Sequence, residues 1–133
     1  MTVNWLDHVN IVTEDVAATA RFFADLLDLE VRDGPGGMRP DLVQWVYDRE
    51  GRPIVHVNKV GSFTPLGRTP RVAADTNALH HVAFNCTGHE RMVQRLETKG
   101  LPFASNAVPA IGLKQLFVTE PNGVLLELNF YEA

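Results

Sequence analysis

The sequence predicts an α+β fold: two tandem βαβββ modules forming a cup-shaped mixed β-sheet with the helices on its outside. Three observations predict it. Leu6-Asp7-His8-Val9-Asn10-Ile11-Val12 aligns with Leu79-His80-His81-Val82-Ala83-Phe84-Asn85 at an offset of 73, with His third in both. Ile54-Val55-His56-Val57-Asn58 aligns with Leu125-Leu126-Glu127-Leu128-Asn129 at an offset of 71. Each half also carries one segment of helical periodicity among runs that alternate as strands do. The separation from the first marked residue to the last is 48 (8 to 56) in one half and 46 (81 to 127) in the other, so the halves match in length.

In chain order, the segment around His8 reads as a strand. It is followed by a helix, with Asp15 or Thr13 as cap and Val16, Ala20, Phe23 and Leu27 on its apolar stripe. Extended runs follow at Leu29 to Arg32, Leu42 to Tyr47 and Ile54 to Asn58. Module one thus covers about 1–58. Residues 59–78, with Gly61, Pro65, Gly67 and Pro70 and little periodicity, read as a linker. Module two, about 79–133, opens on the strand around His81. Its helix is predicted to start at a capping box, Thr87-Gly88-His89-Glu90, to bury Met92, Val93 and Leu96, and to stop at Gly100. Strands are expected at Pro102 to Ala104, Gln115 to Thr119 and Val124 to Phe130. Asp-Arg-Glu-Gly at 48–51 and Pro-Asn-Gly at 121–123 are turn sequences placed before each module's last strand. Gly34 to Gly37 and Ala107 to Gly112 are expected as loops over a cavity.

At 133 residues and 45% apolar composition the chain suits one compact domain, residues 1–133, with stability from packing. Its net charge of −4 and the absence of a basic cluster beyond the pair Arg68 and Arg71 argue against a nucleic-acid partner. No apolar run is long enough to span a bilayer, and the N-terminal residues lack the basic start and apolar core of a secretory signal. A cytoplasmic protein without a membrane partner is expected. The single Cys86 forms no intrachain disulfide.

Side chains alternate across a strand, so His8, Asn10 and Val12 share one face and Val9 and Ile11 the other, under the helix. The same parity groups His81, Ala83 and Asn85, turns His80 away from His81, and sets His56 with Asn58 and Glu127 with Asn129. If the modules are related by a pseudo-twofold axis, these polar faces converge, and His8, His56, His81 and Glu127 form a metal constellation. Three nitrogens and one oxygen suit zinc, iron(II), nickel, cobalt or manganese, with positions open for substrate. A lone His beside apolar residues is ordinarily a hydrogen-bonded core residue; four repeat-related positions are harder to explain that way. Glu127 inside Leu-Leu-Glu-Leu is a costly buried charge unless it meets a cation, an Arg or Lys being the simpler partner. His89 reads as solvated, His80 as structural or supporting a ligand, Cys86 as core, and Trp5, Trp45 and Tyr131 as packing. Lys114, Gln115 and Arg52 read as solvated surface near strand ends.

These residues resemble the vicinal oxygen chelate superfamily, which includes glyoxalase I, methylmalonyl-CoA epimerase, extradiol dioxygenases, and fosfomycin- and bleomycin-resistance proteins. The carriers are Leu-Asp-His-Val-Asn-Ile, Leu-His-His-Val-Ala-Phe and Gln-Leu-Phe-Val-Thr-Glu-Pro-Asn-Gly-Val-Leu-Leu-Glu-Leu-Asn-Phe at 115–130, and the likeness covers nearly the whole chain. The resemblance implies a homodimer, with the site within one chain or across the interface, and ligands at His8, His56, His81 and Glu127. It implies a divalent ion acting as a Lewis acid on vicinal oxygens of a small-molecule substrate, through an enediolate or oxyanion. Glyoxalase I-like enzymes carry Glu where this chain has His56, which leaves Glu127 as the one carboxylate base. The expected function is a metal-dependent lyase or isomerase acting on a small oxygenated metabolite, with Glu127 or His56 moving a proton. The alternatives are an iron(II) extradiol-type dioxygenase, with His8, His81 and Glu127 as ligands and His56 as acid or base, and a non-catalytic drug-binding or antibiotic-resistance protein.

Overall fold

The computed structural model describes residues 1–62, 76 and 78–132. The chain forms two compact units, Met1–Val72 and Ala73–Ala133. Most of the predicted linker, with Arg68 and Arg71, lies outside the described residues.

Unit one runs β1 (Val9–Thr13), α1 (Val16–Leu27), β2 (Glu30–Asp33), a 3-10 turn at Pro35–Gly37, β3 (Val43–Tyr47) and β4 (Pro53–Lys59). Its sheet has the order β1-β4-β3-β2, with β1 and β4 parallel and the other pairs antiparallel. Unit two repeats this with β5 (Val82–Cys86), α2 (His89–Thr98), β6 (Ala104–Val108), a 3-10 turn at Pro109–Ile111, β7 (Leu113–Thr119) and β8 (Leu125–Tyr131). Its order is β5-β8-β7-β6, with β5 and β8 parallel. Two four-stranded mixed sheets, each with one helix, are the βαβββ repeat that the sequence predicts. The parallel pairs place the first and last strands of each module side by side, which is where the marked residues fall.

The helix starts separate the modules. In α1 both predicted caps act together: Asp15 accepts from the Ala18 N–H at 3.0 Å, while Thr13 Oγ1 accepts from the Asp15 N–H at 3.1 Å and from Thr19 Oγ1 at 2.9 Å. The apolar stripe ends on Leu26, fully buried, rather than Leu27. The capping box of α2 does not form. Gly88 sits at the cap with φ 93°, no side chain of the box caps the helix, and the carboxylate of Glu132 accepts from the Gly88 and His89 N–H groups at 2.6 and 3.2 Å. The stop at Gly100 is as predicted: Gly100 takes φ 66°, its N–H reaches Glu97 O, and the Leu101 N–H reaches Leu96 O, which satisfies two end carbonyls. A strand replaces the first part of the loop expected from Ala107, because β6 pairs with β7 as far as Val108 opposite Leu113.

In β4, Val55 and Val57 are buried and His56 is half-buried; in β8, Leu126 and Leu128 are buried and Glu127 is half-buried. The alternation predicted for both last strands therefore holds around His56 and Glu127, while Asn58, expected on the face of His56, is itself buried.

Candidate metal centre

The four predicted ligands lie in two pairs, one in each unit. In unit one the rings of His8 and His56 stack with centroids 3.7 Å apart and planes 12° from parallel. Trp45, the register partner of His56 on β3, covers the other face of His56 at 4.0 Å and 6°. In unit two His81 Nε2 lies 3.6 Å from Glu127 Oε1. Within neither unit, among the described residues, are three or more His, Cys, Asp or Glu gathered as a metal group.

His8 and His81 each stand one residue before their strand rather than in it. Strand alternation therefore does not govern the residue before them, and this overturns the expectation that His80 points away from His81. The His80 and His81 rings meet edge to face, with their Nδ1 atoms 2.9 Å apart. Asp7, at the same repeat position, holds His8 Nδ1 at 2.6 Å. Each first histidine is thus engaged at Nδ1 by the side chain immediately before it. Donation from Nδ1–H leaves Nε2 with the lone pair a metal needs, the arrangement by which supporting groups orient metal-binding histidines.

His56 Nε2 is buried and has no hydrogen-bond partner. Burial, and then the charge of His8, hold the His56 imidazole below its ordinary pKa of 6.5, so it favours the neutral form that coordinates metal. A buried nitrogen without a partner is costly, and a bound cation would satisfy it.

Glu127 has no Arg or Lys partner among the described residues. Asn129, two residues on along the same face of β8, donates Nδ2–H to Glu127 Oε2 at 2.9 Å. The simpler reading of this carboxylate, an ion pair with Arg or Lys, is therefore not met among the described residues. Imidazole pairs such as His8 with His56, and an imidazole with a carboxylate such as His81 with Glu127, are donor types that suit a divalent ion.

Sequence reasoning missed Trp45 and Asn129. Trp45 was read as packing, yet its register opposite His56 repeats as Phe117 opposite Glu127. Trp5 and Tyr131, also read as packing, are exposed. His89 is half-buried edge-on against Phe130 rather than solvated. Arg52 binds Asp48 across the β3–β4 turn, a structural role. Cys86 is half-buried and its thiol is pushed up to about 11 by burial, so it is a poor nucleophile. A cleft of about 520 Å³ opens among Ala17, Arg21, Glu30, Asp33 and Gln44 of unit one. Asp33 and Gln44 neighbour Arg32 and Trp45 in their strands, and so face away from His56.

The comparisons agree with this architecture. The chain is similar over 99% of its length to an integron cassette protein from the mobile metagenome of V. cholerae, at TM-score 0.73, 17% identity and 98% coverage of that chain. Lactoylglutathione lyase from Agrobacterium tumefaciens matches at TM-score 0.69 and 16% identity, covering 98% of this chain and 96% of that one. The fosfomycin resistance protein FosX from Listeria monocytogenes matches at TM-score 0.69 and 14% identity, covering 97% and 94%. No curated protein matches the sequence. No helix among the described residues is long and apolar enough to cross a membrane. The family described as the Glyoxalase/Bleomycin resistance protein/Dioxygenase superfamily matches residues 7–119, and the chain belongs to it.

Proposed function

We propose that this protein is a divalent-metal-dependent enzyme, a lyase or isomerase acting on a small oxygenated metabolite, with His8, His56, His81 and Glu127 as ligands. The observation that carries the reading is the shared placement of the two first histidines: the side chain immediately before each, Asp7 or His80, engages its Nδ1, and with Nδ1–H as donor the Nε2 lone pair is left for a cation. The unpartnered His56 Nε2 supports it. A bound divalent ion would supply Lewis-acid polarisation of a substrate carbonyl. The chain's own contribution is to hold the imidazoles in place and to set a carboxylate beside His81. Within this reading Glu127 or His56, each a member of the donor set, moves the substrate proton. We read the whole chain as a single functional domain and its assembly as a homodimer, on the family resemblance.

The unpartnered His56 Nε2 also favours one competing reading, in which His8, His81 and Glu127 hold iron(II) and His56 serves as acid or base in a dioxygenase. Metal analysis of protein purified without added metal or chelator separates the two. Zinc, nickel, cobalt or manganese, lost in each of His8→Ala, His56→Ala, His81→Ala and Glu127→Ala, is the expected result. Stoichiometric iron retained in His56→Ala would favour the dioxygenase. Absence of any metal after reconstitution would leave a drug-binding protein as the better account.

A further inference from the structure

Unit two carries a row of amides that unit one lacks. Asn129 on β8 stands opposite Gln115 on β7 and Asn85 on β5, and Gln115 stands opposite Asn106 on β6. Asn106 Nδ2 donates to Gln115 Oε1 at 2.7 Å, Gln115 Nε2 donates to Asn129 Oδ1 at 3.1 Å, and Asn129 Nδ2 donates to Glu127 Oε2 at 2.9 Å. All three bonds run in one direction and end on the carboxylate, so each amide polarises the next toward it. The other oxygen, Oε1, carries none of these bonds and is the one beside His81.

The corresponding row in unit one is apolar on both sides: Asn58 stands between Val12 and Val43. Asn58 donates instead to Asn10, and His56 Nε2 receives nothing. The register neighbours of Glu127 itself, Ala83 and Phe117, offer no side-chain donor. Support for the carboxylate therefore has to come along the strand from Asn129.

Resting on the metal reading above, we propose that Asn129, backed by Gln115 and Asn106, is a positioning residue that occupies one oxygen of Glu127 and leaves Oε1 as its single metal-binding oxygen. Carboxylates bind metals through one oxygen or two, and a donor fixed on Oε2 selects the first mode. The amide row converts a flexible Glu side chain into a directed ligand. His56 needs no such row, because its ring is held between His8 and Trp45.

The test uses cobalt(II) as the probe, titrated into the purified full chain and followed by its visible absorption. Asn129→Leu is expected to weaken cobalt binding about tenfold and to lower the intensity of the visible bands, as Glu127 swings to two-oxygen binding and raises the coordination number. Gln115→Leu, which leaves Asn129 in place, is expected to shift both readouts the same way by less, and guards against loss of folding in the first variant. Asn129→Asp, which replaces the donor by an acceptor, is expected to exceed Asn129→Leu. A purely structural role would lower thermal stability with the spectrum of the bound ion unchanged, and that result overturns the proposal. Wild-type protein that binds no cobalt overturns the metal reading itself, and is told apart because the wild type fails along with the variants.

Discussion

Asp48 in unit one and Glu120 in unit two perform the same task 72 residues apart: each carboxylate caps the turn that leads into its module's last strand. Asp48 Oδ1 accepts from the Glu50 and Arg52 N–H groups, both at 2.9 Å. Glu120 Oε1 accepts from the Asn122 and Val124 N–H groups at 2.7 and 2.9 Å. Gly51 and Gly123 follow at φ 77° and 90°, where an L side chain would be strained. The turns fix the register of β4 and β8, and so the positions of His56 and Glu127.

Because Glu120 is 2% exposed and also accepts from Asn122 Nδ2, its removal orphans several donors in a buried place. Glu120→Ala is expected to lower unfolding free energy by about 2 to 3 kcal/mol, and its midpoint in urea should fall with little change in slope. A loss no larger than that of an exposed control such as Glu97→Ala would refute the capping role.

Asp48 makes the turn sensitive to acid. Burial pushes its carboxyl up, but the Arg52 N–H, the Arg52 guanidinium and the Glu50 N–H outweigh that and hold it below 3.8. A carboxyl with a depressed folded pKa contributes stability that is complete above the unfolded value and lost as pH falls through the folded one. Stability should therefore decline from about pH 4 downward. Asp48→Asn should be less stable at neutral pH and flatter in the acid range. Glu30 and Asp41, held low by Arg32 and Arg39, leave a residual slope. Parallel acid curves for wild type and Asp48→Asn would contradict this.

Much of this architecture was legible because a repeat doubles every signal: the strand parity of β4 and β8, the turns and the Gly100 stop all follow from residues within a few positions of one another. What stayed hidden depends on neighbours far apart in sequence. Glu132 caps α2 from 44 residues away, and no local pattern announces it. Trp45 reaches His56 through register across a hairpin, and Asn129 reaches Gln115 across another. The orientation of His80 does not follow from alternation because it stands two residues before the start of β5.

The Glu132 cap gives a prediction that separates it from the capping box expected of the sequence. A carboxylate at a helix N-terminus satisfies free N–H groups and opposes the positive end of the dipole. Glu132→Ala is expected to cost about 1 kcal/mol and to speed amide hydrogen exchange at Gly88 and His89. Thr87→Ala should leave both unchanged. The reverse pattern would restore the box.

Trp45 supplies an optical reporter of the candidate centre. Its indole lies flat on the His56 ring, so a paramagnetic ion bound at His56 sits close enough to quench indole fluorescence. Addition of cobalt(II) should therefore reduce tryptophan emission, with the loss abolished in His56→Ala. Trp5 is the other tryptophan and is 61% exposed, so Trp45→Phe isolates its signal. In that variant the remaining emission should respond weakly or not at all. Quenching that survives Trp45→Phe at full amplitude would refute Trp45 as the reporter of the bound ion.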